Sequence, residues 1–135
     1  MTNLSLAQSY FAKAKVRASI LKVLHDGKGY SDVIREAQEI VELCLKGILR
    51  FVGIEPPKWH DVGPIVLQYR LKIVSLDQAT ADKLAAISAR LREEREVSFY
   101  GDINFIPTEE YSESDSLTAM QDAEFVLSFA ASVIH

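Results

Sequence analysis

The sequence predicts an all-α fold, an up-and-down antiparallel bundle of four to five helices in a single domain over residues 1–135. Three observations carry that prediction. Apolar residues recur at helical spacing along almost the whole chain and at strand spacing almost nowhere. The stretches HDGKG and EPPKW interrupt the pattern with glycine and proline, and 48% apolar content in 135 residues is enough to bury one core.

The first stripe is Ala7, Tyr10, Phe11, Ala14, Ala18, Leu21 and Leu24, which reads as one helix ending where Gly27 and Gly29 offer left-handed backbone. The second is the clearest: Val33, Ile34, Ala37, Ile40, Val41, Cys44, Leu45, Ile48 and Leu49 face one way and Arg35, Glu36, Glu39, Glu42, Lys46 and Arg50 face elsewhere. Ser31 is placed to cap its start and Gly53 to close it, after which Pro56 and Pro57 forbid continuation. A third helix is expected from Asp61, its cap, through Pro64 to Ile73, burying Val62, Ile65, Val66 and Tyr69. Asp77 caps a fourth, whose stripe of Ala81, Leu84, Ser88 and Leu91 arrives by the same spacing at Arg95. The segment YGDINFIPTEEYSES reads as an ordered loop, because Ile103, Phe105 and Ile106 are too apolar to leave in water. A last helix starts near Ser112 or Ser114 and buries Leu117, Met120, Ala123, Val126, Leu127, Ala130 and Ile134. Leu43 and Val52 widen the second stripe beyond what one bundle covers, which favours dimerisation.

Charge and composition narrow the function. A net charge of -4 argues against coating nucleic acid by bulk positive charge and leaves room for a focused basic cleft. A single cysteine excludes an internal disulfide and a thiolate metal site, and His25, His60 and His135 show no metal-ligand spacing, so no metal or cofactor is expected. With no signal-peptide core at the N-terminus and no apolar run near ~20 residues, the expected place is the cytoplasm, away from membranes. There is no glycine-rich phosphate loop.

The stretch YSDVIREAQEIVELCLKGILRFVGIEPPKWHDVG, followed by LREEREVSFYGD and DAEFVLSF, resembles the HEPN domain family from about Ala7 to Val133. The resemblance implies a four- or five-helix bundle, a homodimer, and a minimal nucleotidyltransferase as partner in a toxin–antitoxin pair. It also implies RNA or a nucleotide as ligand, with no DNA expected. Ribonuclease members carry an arginine followed, after four to six residues, by a histidine, and their paired sites face each other across the dimer.

This chain departs from that motif. Counting from Arg95, the histidine positions hold Tyr100, Gly101 and Asp102; from Arg92 they hold Val97, Ser98 and Phe99; from Arg90 they hold Arg95, Glu96 and Val97. The loss matters because metal-free RNA cleavage must deprotonate a 2′-hydroxyl and protonate a leaving oxygen, which an imidazole titrating near neutrality assists. A tyrosine of reference pKa roughly 10 is a poor base at pH 7. An arginine fork still holds phosphate. The candidate residues are therefore Arg95 and Tyr100 as a degenerate catalytic pair, with Arg92, Arg95 and Ser98 as ligand contacts. Three functions follow: a binding protein with a degenerate motif, a metal-independent endoribonuclease toxin, and a non-catalytic dimerisation module.

Plainer readings stand beside these. Arg90 with Glu94 and Arg92 with Glu96 make i,i+4 pairs on a solvated face, and Arg95 at the stripe edge suits an acid on a neighbouring helix. Tyr100 beside Phe99 reads as a core aromatic. Asp61 is explained as a cap, Cys44 as a small buried hydrophobe, and His25 as a favourable last-turn residue.

Overall fold

A computed structural model of the chain describes residues 3–59 and 61–135, and for 95–99 the backbone alone. Its helices are α1 (Asn3–Ala18), α2 (Leu21–Asp26), α3 (Tyr30–Phe51), α4 (Gly63–Gln68), α5 (Gln78–Phe99), α6 (Pro107–Glu110) and α7 (Glu113–Val133), with a 3-10 turn at Arg70–Lys72. Among the described residues extended pairing is confined to one isolated bridge, Asp102 to Phe105. The all-α prediction holds, with α1, α3, α5 and α7 as the long members.

Helix α3 is the axis, and α1, α5 and α7 all pack against it. Every residue of its predicted stripe is buried, with Ile40, Cys44, Leu45, Ile48 and Leu49 at zero exposure. A helix enclosed on three sides buries more than one stripe, which is why Gln38 and Gly47 are buried too. Leu43 and Val52 lie half-buried against the core of the same chain. One protomer therefore covers the widened stripe only in part.

Caps fix where the helices stop. Gly53, at φ +83, lets the Ile54 amide reach the Leu49 carbonyl at 2.8 Å and the Gly53 amide reach Arg50 at 3.1 Å, a Schellman closure of α3. At the other end Gly29 is the cap and no side chain bonds there. Ser31 is buried inside the first turn, so the capping role predicted for it is not played. Asp77 accepts the Thr80 amide at 2.7 Å and starts α5; that bond holds its carboxyl below the usual carboxylate range. Ser112 and Asp115 form a reciprocal capping box at α7.

Four local expectations are corrected. The first stripe is carried by two helices. Ser19 donates its hydroxyl to the Val16 carbonyl at 2.5 Å while the Ile20 amide closes a tight turn on Arg17, and a hydroxyl competing for a helical carbonyl loosens the ladder. The third helix ends at Gln68, and three-residue bonds from Lys72 to Tyr69 and from Ile73 to Arg70 tighten the chain into the 3-10 turn. Leu117 is 42% exposed, because the neighbouring Ser116 takes the inward position at zero exposure. Ile103 and Ile106 face solvent at 95% and 49% exposure. The turn from Asp102 to Phe105 closes by two backbone bonds of 3.0 and 3.1 Å and puts Ile103 at its outer corner. Of the three apolar residues, only Phe105 packs inward, against Tyr111.

Candidate functional site at the end of helix α5

Helix α5 begins pinned and ends beside a loop. Asp61 ties its middle to α4, accepting the Ser88 hydroxyl at 2.9 Å and the Gly63 amide at 3.2 Å. At Gly63 an added Cβ would lie 2.9 Å from the Ala85 Cα, so α4 approaches α5 more closely than a side chain permits. Ala81, Leu84, Ser88 and Leu91 face inward, as the spacing predicts, and Ile87 is buried with them. Past Leu91 the helix runs on to Phe99, alongside α6 and the start of α7.

Arg90 pairs with Asp122 across on α7 rather than with Glu94 one turn along its own helix. Arg92 is exposed. Arg95 and Ser98 have helical backbone and side chains outside the described residues, and so does Glu96, the expected partner of Arg92; His60 lies wholly outside them. Tyr100 is 74% exposed, which corrects its reading as a core aromatic. It is the residue before Gly101, whose φ of +70 is left-handed. A Cβ at 101 would stand 2.4 Å from the Phe105 carbonyl oxygen, so the turn that presents Tyr100 requires glycine.

Beside this segment lies a cleft of about 340 Å³ lined by Glu93, Glu94, Phe105, Glu110, Tyr111 and Asp115. A smaller one of about 160 Å³, between Arg90, Leu91 and Thr118, shares Glu94 and Asp115 with it. Phe105 and Tyr111 meet edge to face at 5.6 Å. Partial burial, with Asp115 nearby, raises the pKa of Glu94. Burial, then the carboxylates of Glu94 and Asp115, push the Tyr111 phenol up to about 12, which keeps it protonated and a donor at neutral pH. Like charges crowded in a partly dry cleft favour their neutral forms. Carboxylates around an aromatic pair suit the hydrogen-bond donors of a ligand; a phosphate would have to be held on the arginine side of α5.

The sequence reading missed Glu94, Tyr111 and Asp115 as neighbours. Glu94 reads from the sequence as half of a surface pair, and nothing in the spacing singles out Asp115. The signal that was there is the density of acids after Gly101, from Glu109 to Asp115. A second cluster was also missed: His25 Nδ1 meets the enclosed Ser116 hydroxyl at 2.8 Å, with Glu113 at 3.9 Å from Nε2 and the Tyr30 ring at 5.4 Å. It joins α2 to α7. Cys44 is buried, its thiol pushed up to about 12, and offers no nucleophile. Among the described residues no group of three or more His, Cys, Asp or Glu side chains is arranged to hold a metal ion. No described helix is long and apolar enough to cross a membrane.

No curated protein and no solved structure matches the chain. The family model for the HEPN domain does, over residues 7–133, which takes in α3, α5, the Gly101 turn and the whole of α7. An all-α bundle built on α3, with an arginine-bearing helix running out of its core into a glycine turn, is therefore the form this domain takes here: the chain belongs to the HEPN domain family.

Proposed function

We propose that this protein holds a nucleotide or RNA phosphate at the Arg95 segment and acts in the cytoplasm, as a homodimer, with a minimal nucleotidyltransferase partner. Its catalytic motif is degenerate. One observation carries the reading: the positions at which family ribonucleases place histidine hold Tyr100, Gly101 and Asp102. An exposed tyrosine does not replace an imidazole at pH 7, whereas an arginine retains its hold on phosphate. Arg92 and Ser98, on the same stretch of α5, are the accompanying ligand contacts. The acidic cleft next to them limits how much RNA approaches, so the bound unit is short, and the cleft carboxylates meet base amino groups rather than backbone.

A second reading, a metal-independent endoribonuclease toxin, is favoured by Glu94. It is a half-buried carboxyl of raised pKa one residue before Arg95, and such a group can serve in proton transfer. Fluorescence anisotropy with a labelled oligoribonucleotide tests the binding reading. Wild type is expected to bind and Arg95→Ala to lose about tenfold in affinity, with salt weakening both. Equal affinity of the two proteins would remove Arg95 from the site.

A further inference from the structure

A cavity of about 650 Å³ lies on another side of the bundle, between the α1–α2 corner and the outer face of α7, and shares no lining residue with the acidic cleft. Its size falls within the roughly 300–1,000 Å³ typical of small-molecule sites. The walls are apolar: Leu21 from α2, with Leu117, Met120 and Phe125 from α7. Leu117 gives 42% of its surface to water here, and Met120 is the flexible residue that lets a wall adapt to a guest.

Three charged side chains line the cavity, each from a different helix: Lys22 of α2, Lys83 of α5 and Glu124 of α7. Lys22 is engaged by Asp26 at 2.6 Å. Lys83 is different, because its ammonium lies 3.9 Å over the centre of the Phe125 ring. That contact holds the cation of an exposed lysine at the rim of an apolar wall, where a negatively charged head group can meet it. Glu124 opposes any head group of high negative charge. The lining therefore matches a molecule with an apolar body and one negative charge.

We propose that this cavity binds an amphipathic organic monoanion, a medium-length aliphatic chain ending in a carboxylate, with Lys83 meeting the head group and Leu21, Leu117, Met120 and Phe125 enclosing the chain. The site is independent of the reading given for the Arg95 segment.

Titration calorimetry of the full chain with dodecanoate below its micellar concentration tests it. Saturable one-to-one binding is expected, with dodecanol about tenfold weaker for want of the charge. Lys83→Gln should lose about tenfold and Glu124→Gln should gain a few-fold, while Met120→Glu, which puts a charge into the wall, should abolish binding. Circular dichroism melts confirm that each variant is folded, and the two surface variants, Lys83→Gln and Glu124→Gln, carry the test should Met120→Glu not fold. Absence of saturation, equal binding of the alcohol, or indifference to Lys83→Gln in a folded protein would overturn the proposal. So would co-sedimentation with phosphatidylglycerol vesicles in preference to the free acid, which would mark a membrane-surface contact. Loss of a dimer in Met120→Glu, seen by sedimentation velocity, would assign the groove to a second copy and overturn it equally.

Discussion

Helices α3 and α5 are both 22 residues long, yet they relate to their surroundings in opposite ways. Helix α3 is enclosed by α1, α5 and α7, so its apolar stripe is buried along its length. Among the described side chains of α5 the inward stripe runs as far as Leu91. Arg90 and Glu94, on either side of Leu91, lie against α7 and the loop before it, and there residue type does not report what a side chain touches. Arg90 reaches Asp122 on another helix, and Glu94 belongs to a cleft with Tyr111 and Asp115. The division is between a helix that is enclosed and one whose described charged residues reach neighbouring elements.

That division can be broken most forcefully in α3. Leu45→Ala or Ile48→Ala removes a side chain of zero exposure and should cost about 2–5 kcal/mol in urea unfolding. Arg92→Ala, on the outer face of α5, should stay within about 0.5 kcal/mol. Comparable losses would erase the distinction between the two helices. Gly63→Val comes next: a side chain against the Ala85 backbone should cost about 1–3 kcal/mol by forcing α4 away from α5, and a neutral result would contradict the close approach. Asp61→Ala leaves the buried Ser88 hydroxyl without its acceptor and should cost about 1–3 kcal/mol. Ser112→Ala, which removes half of the α7 capping box, should cost about 1 kcal/mol.

The smallest expected effect is on pH dependence and belongs to the acidic cleft. The folded-state pKa of Glu94 is raised, so above the ordinary carboxylate value of about 4.3 the folded protein binds more protons than the unfolded chain, and stability falls as pH rises through that window. Asp77 has the opposite sign: its lowered pKa gives stability that is lost as pH falls. Glu94→Gln should therefore flatten the decline in melting temperature above pH 4 and leave the acid limb unchanged. An unaltered slope above pH 4 would show that the Glu94 carboxyl is solvated.

The sequence was most legible where burial and spacing coincide. The α3 stripe, the Gly53 closure and the Asp77 cap all follow from local geometry that a few residues dictate. The Ser19 break was not legible, because a hydroxyl's choice between solvent and the Val16 carbonyl depends on how α1 and α2 pack. Leu117 was misplaced by one residue of register, since the small Ser116 fits inward against His25 and leucine does not. At the candidate site, the missing imidazole could be counted along the chain from Arg95. The acid cluster could not be, because it is assembled from α5, α6 and α7.

Cleavage of a mixed RNA substrate without added metal, comparing wild type, Tyr100→His and the double variant Arg95→Ala, Tyr100→His, tests the central claim most directly. Tyr100 is exposed, so histidine fits there and restores the family's arginine-to-histidine spacing. Wild type should leave the RNA intact, Tyr100→His should cleave it, and the double variant should leave it intact again. Metal-free cleavage by the wild-type protein, lost in Arg95→Ala, would contradict it and show that catalysis here proceeds without the imidazole.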